Sequence, residues 1–124
     1  MVAVAIVGIL AAIAYPSYQD HVRRSRRPNA TRALMEASAA MEQFFAQRQT
    51  YVGAVLATVY ASVSPGGFYT LSFGVAPTAT SYTLQVAPVA GKGQDADKCG
   101  SFTLSSAGVR GVSGGTLTAA ECWK

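Results

Sequence analysis

Two hydrophobic periods divide the chain. From Met1 to Ala14 it is apolar without a break (MVAVAIVGILAAIA), and no charged residue appears before Asp20. Eighteen residues of helix, Met1 to Tyr18, span about 27 Å at about 1.5 Å per residue, close to what a bilayer core requires. From Ala30 the pattern becomes one-sided. Ala30, Ala33, Leu34, Ala37, Ala40, Met41, Phe44 and Phe45 recur at helical spacing, with Arg32, Glu36, Gln43, Gln47 and Arg48 elsewhere. This predicts one long helix from Met1 to about Thr50, interrupted at Gly8, Pro16 and Pro28, because proline removes a backbone donor and glycine lowers helix propensity.

Thr50 to Gly67 is irregular, with a turn at Pro65-Gly66-Gly67, and reads as a connection. The period then changes to two. In FYTLSFGV, Tyr69, Leu71, Phe73 and Val75 share a face; in SYTLQV, Tyr82, Leu84 and Val86 do; SFTLS repeats the alternation with Phe102 and Leu104. A further short strand falls near Val109 to Val112, GKGQDADK reads as a loop, and Gly111, Gly114 and Gly115 predict a loop-like tail. The class is therefore α+β: a long helix whose second half packs on an antiparallel sheet of about four strands. Residues 1–27 form an apolar helical segment and 28–124 a globular head.

Charge sharpens this division. Only 13 % of residues are charged, the net charge is +4 and the pI about 9.3, with Arg23, Arg24, Arg26 and Arg27 clustered just beyond the apolar run. A cleaved secretory signal carries its basic residues before the apolar stretch, whereas here they follow it. A chain of 124 residues is also too small to wrap such a helix on all sides. The helix therefore calls for lipid, or copies of itself, around it. The basic cluster fits lipid headgroups, nucleic acid or a solvated helix face.

The two cysteines, Cys99 and Cys122, are too few for a zinc site, since only His21 could join them. A disulfide, and hence an oxidising compartment, is the stronger reading, with two buried free thiols as the alternative. Exported cysteines conflict with arginines that would stay cytoplasmic. The conflict disappears if basic residues once preceded Met1, which points to a processed precursor. No catalytic set emerges. His21 has no partner in register, Gly91-Lys92-Gly93 lacks phosphate-loop spacing, and Asp95 and Asp97 read as a solvated turn rather than the start of a calcium loop. The sequence points to neither an enzyme nor a cofactor protein.

Gly8, Ala14-Tyr15-Pro16, Tyr18 and the arginines, in MVAVAIVGILAAIAYPSYQDHVRRSR, closely resemble the N-terminal helix of type IVa pilins, the subunits of type IV pili. The end of the chain, Cys99, FTLSSAGVRG and Cys122-Trp123, resembles the PilE-type members. The resemblance implies the pilin fold with a C-terminal loop closed by Cys99–Cys122. It also implies a precursor whose basic leader is cut before an N-methylated phenylalanine. The glutamate that follows in the family, an assembly determinant, has no counterpart in this sequence.

By the same resemblance, Met1, Val2, Val4, Ile6, Val7, Ile9, Leu10 and Ile13 pack in the filament core, and Gly8 to Pro16 is a helix-break segment. Arg23, Arg24, Arg26, Arg27, Glu36 and Glu42 are candidates for charge contacts between subunits. The partners implied are identical or homologous pilins, the bacterial inner membrane before assembly and the pilus assembly machinery. The final location is an extracellular filament serving adhesion, twitching motility or DNA uptake. Two alternatives stand beside this reading: a minor pilin that binds DNA or a surface through Lys92, Lys98, Arg110, Lys124 and Trp123, and a pseudopilin of a type II secretion system.

Overall fold

The structure, a computed structural model, describes residues 1–56, 60, 67–91 and 93–123, with backbone alone at 15–17. Helix α1 runs Val2–Arg48, followed by strands β1 (Tyr69–Val75), β2 (Thr83–Pro88), β3 (Ser101–Ser105) and β4 (Arg110–Ser113) and a short helix α2 (Ala119–Cys122). The four strands form one antiparallel sheet in the order β1-β2-β3-β4. The turn expected at Pro65-Gly66 lies outside the described residues.

The helix packs on the sheet as its periodicity requires. Ala30, Ala33, Leu34, Ala37 and Met41 are wholly buried, with Phe44 and Phe45 packed beside them. Three alanines on that face let the helix axis approach the sheet closely. The sheet answers with Tyr69, Leu71, Leu84, Val86, Phe102 and Leu104. Tyr69 meets Phe102 edge-on, with ring centroids 6.2 Å apart, and Phe102 meets Trp123 at 5.9 Å. α1 ends at Gln49, whose left-handed backbone (φ 59°) donates its N–H to the Phe45 carbonyl.

The structure corrects four expectations. α1 is one continuous helix through Gly8, Pro16 and Pro28 rather than separate helical pieces. A proline removes one donor and crowds one turn, and the bonds on either side carry the helix past it. Val75 does not share the buried face: the β1–β2 register shifts between Phe73 and Val75, leaving Val75 60 % exposed. Gly74 sits in that irregularity, as glycine in a strand often signals. The stretch 91–98 is no free loop, since Gln94–Ala96 forms a 3-10 turn whose Gln94 is buried. The tail is also not all loop. Thr118 caps α2, accepting from the Glu121 N–H while Glu121 Oε2 accepts from the Thr118 N–H, a reciprocal capping box.

Cys99 and Cys122 are bonded to each other, their Cα atoms 5.9 Å apart, and no cysteine is free. The bridge ties the start of β3 to α2 across 23 residues of sequence. In the chain-entropy model such a loop contributes about 3 kcal/mol. Reduction should therefore lower the unfolding free energy by about that amount, read as a lower denaturation midpoint. Thiol labelling of the native protein without reductant should modify neither residue; stoichiometric labelling of both would refute the pairing.

Candidate functional site

The apolar half of α1 is a surface without a partner among the described residues. Every residue from Met1 to Ala14 is exposed, including Val2, Val4, Ile6, Val7, Ile9, Leu10 and Ile13. The helix is long and apolar enough to cross a membrane, and none of that window is buried within the chain. Gly8 has open space where a Cβ would lie, so no contact among the described residues requires a glycine there.

At the foot of this segment the β2–β3 connection grips the helix. The Arg27 guanidinium donates twice to the Asp97 carboxylate, Nε to Oδ2 at 2.8 Å and Nη2 to Oδ1 at 2.6 Å. Asp97 is a buried side chain, 2 % exposed, which overturns its reading as a solvated turn residue. Its hydrogen bonds raise the Arg27 pKa above the usual arginine value, against the opposing effect of burial. One turn earlier, Arg23 Nε donates to the Gly93 carbonyl, and the Arg23 carbonyl accepts from Gln94 Nε2 at 3.1 Å. Gln94 Nε2 also donates to Tyr69 Oη at 2.7 Å, while its buried Oε1 has no partner among the described residues. Beside this junction a cleft is lined by Asp20, Arg23, Arg24, Arg27, Lys98 and Leu117.

Most of the charges proposed for contacts between subunits thus have partners within the chain. Arg23 also pairs with Asp20 at 3.5 Å, and Arg26 lies 4.0 Å over the Phe68 ring. Glu42 accepts from Tyr51 Oη at 3.0 Å and from Tyr82 Oη at 3.3 Å, and Tyr60 Oη donates to Glu36. Arg24 is exposed on the cleft, with no partner among the described residues.

These tyrosine–carboxylate pairs make the head sensitive to alkali. Burial, then the bond to Glu42, pushes the Tyr51 pKa up to about 12; the bond to Glu36, then burial, does the same for Tyr60. The ordinary value is about 10. A pKa raised by folding means that the native state holds the proton more tightly than the unfolded chain. That stability is fully present below about pH 10 and disappears as pH rises through about 12. The melting temperature should fall across that window, and the Tyr51→Phe variant should show a shallower fall. An unchanged slope would remove Tyr51 from the account.

At the far edge of the sheet, Arg110 is exposed and its guanidinium carbon lies 5.2 Å from the Trp123 ring centroid. The indole N–H of Trp123 donates to the Gly111 carbonyl at 3.0 Å, which fixes the ring against β4. Of the candidates for a binding surface, the structure brings Arg110 and Trp123 together and places Lys98 on the cleft beside Arg24. Lys92 and Lys124 lie outside the described residues. Among the described residues, no group of three or more His, Cys, Asp or Glu could hold a metal ion.

Two solved type IV pilins share this architecture. The non-core minor pilin PilV of Neisseria meningitidis matches with a TM-score of 0.65 and 20 % identity, covering 81 % of this chain and 95 % of that one. A type IV pilin from Shewanella oneidensis matches with a TM-score of 0.56 and 20 % identity, covering 77 % and 97 %. At that identity they show the fold alone. No curated protein matches the chain. The model of the family described as type IV minor pilin ComP, DNA uptake sequence receptor, matches residues 16–103, more than half of the chain. With its exposed apolar helix, antiparallel sheet and C-terminal disulfide, the chain belongs to the ComP family of type IV minor pilins.

Proposed function

We propose that this type IV pilus subunit is a minor pilin whose head binds DNA at the outer end of the sheet, around Arg110 and Trp123. The subunit role stands on one observation: an uncovered apolar helix projecting from a head that has its own closed core. That helix suits the inner membrane before assembly, and a bundle of like helices afterwards, with Met1, Val2, Val4, Ile6, Val7, Ile9, Leu10 and Ile13 buried among neighbours. The residue division proposed is 1–27 for that segment and 28–124 for the head. Arg24, on the open cleft, is the arginine best placed to meet a carboxylate of an adjacent subunit. Gly8 to Pro16 is the part of the helix expected to yield in the filament.

DNA as ligand is supported by the family description, DNA uptake sequence receptor, and by the excess of basic residues, net +4. Arg110 offers a guanidinium to phosphate, and a cation held over an aromatic ring presents a stacking surface beside it. The chain in nonionic detergent should bind labelled duplex DNA with an affinity that falls as salt rises. Arg110→Gln should reduce the slope of log K against log salt by about 1. Absence of binding at low salt would reject DNA as the ligand; binding with an unchanged slope would move the contact away from Arg110.

A further inference from the structure

We propose that the Gly93–Asp97 segment is a clasp that sets where the separable part of α1 ends. Helix residues before Arg23 can unwind without disturbing the head, and those from Arg23 onward cannot.

Four observations carry this. Among the described residues, Arg23 is the first residue of α1 with a hydrogen bond to the head, and it has two. One of them goes to its backbone carbonyl, which within α1 also faces the N–H of residue 27, so Gln94 holds the turn in its helical form. The next turn is fixed by the paired bonds of Arg27 to a carboxylate shielded from water. An ion pair in that setting is costly to break from one side, because the remaining charge stays buried. Before Arg23 no described side chain bonds to the head: residues 1–14 are exposed, and of 18–22 only Gln19 and Val22 are partly buried.

The other side of the clasp is anchored as well. The Asp97 N–H donates to the Gln94 carbonyl at 3.0 Å, closing the 3-10 turn. The Lys98 carbonyl accepts from the N–H groups of Thr116 and Leu117, and Cys99 is bonded to Cys122. Gly115 leaves no room for a side chain here, as a Cβ would collide with the Lys98 carbonyl oxygen. A pull on α1 therefore passes from Arg27 to Asp97, across Lys98 and Cys99, and into the C-terminal segment. The covalent step at Cys99–Cys122 leaves the Arg27–Asp97 pair as the weakest link on that route.

The test stretches single full-length chains between tags fused before Met1 and after Lys124. Unwinding from Val2 to Val22 replaces about 1.5 Å per residue by about 3.4 Å. The expected trace is a gradual lengthening of roughly 40 Å, followed by one abrupt opening. In Arg27→Ala and Asp97→Ala, the gradual phase should run on to Ala30, adding roughly 13 Å, and the opening should come at lower force. Arg27→Lys keeps a cation opposite the Asp97 carboxylate and so avoids the unpaired buried charge of the alanine variants; it should retain the wild-type length of the first phase with a reduced opening force. A wild-type first phase that stops at Pro16 or runs past Ala30 would overturn the proposal. So would first phases of equal length in wild type and both alanine variants.

Discussion

Arg27→Ala is expected to destabilise the head by about 3–5 kcal/mol, the loss typical when one member of a buried pair is removed. The carboxylate it leaves behind is almost wholly enclosed, and among the described residues the Asp97 side chain makes no other ion pair. An unpaired buried charge costs more than loss of the pair as a whole. Changing both residues to apolar ones of similar size, Arg27→Met with Asp97→Leu, should recover most of the loss, because a buried pair is often near neutral against well-packed apolar residues. Chemical denaturation of the chain in nonionic detergent reads both variants. A loss below about 1 kcal/mol in Arg27→Ala would mean that the pair behaves as an exposed one.

The second large effect falls on assembly and leaves the fold untouched. Leu10 lies within the apolar run, 60 % exposed, in a window of which none is buried against the head. An aspartate there costs about 3 kcal/mol for a membrane helix near its centre. A bundle of identical helices would set the same charge beside its own copies, adding repulsion. Leu10→Asp should therefore lower the share of the chain recovered in sheared filaments by about 100-fold, while Leu10→Ile stays at the wild-type level. The melting temperature of the head should be the same in all three. Normal recovery of Leu10→Asp in filaments would mean that this face is not the assembly surface.

The sequence disclosed whatever depends on local period. The face Ala30–Phe45 and the alternation in β1, β2 and β3 were legible because burial on one side leaves a regular mark. The apolar half of α1 was legible for the opposite reason: a helix without polar positions has to be covered from outside. The clasp was not legible, because its partners lie 70 residues apart in sequence. Asp95-Ala96-Asp97 looks like any polar turn until the helix is packed against it. The arginines showed a cluster and a charge, but not that Arg27 turns inward while Arg24 stays on the surface.

Two other omissions did have local signals. Thr118-Ala119-Ala120-Glu121 carries the spacing of a capping box and marks the start of α2. Gly74, interrupting the alternation of β1, marked the register shift that turns Val75 outward. Both were overridden by a coarser pattern, glycine content in the tail and simple alternation in the strand. Proline misled in the other direction, since Pro16 and Pro28 lie within a helix whose flanking turns remain intact. Whether Gly8 to Pro16 yields is a property of the filament, set by neighbours that a single chain does not contain.

Capture of labelled duplex DNA by purified filaments tests the central claim most directly, because it joins assembly and binding in one reading. Filaments from cells making the wild-type chain should contain it and retain duplex at moderate salt. Filaments from cells making only Leu10→Asp should lack the chain and lose that retention, and those carrying Arg110→Gln should contain the chain but hold less DNA. Equal DNA capture by filaments with and without the chain would contradict the account.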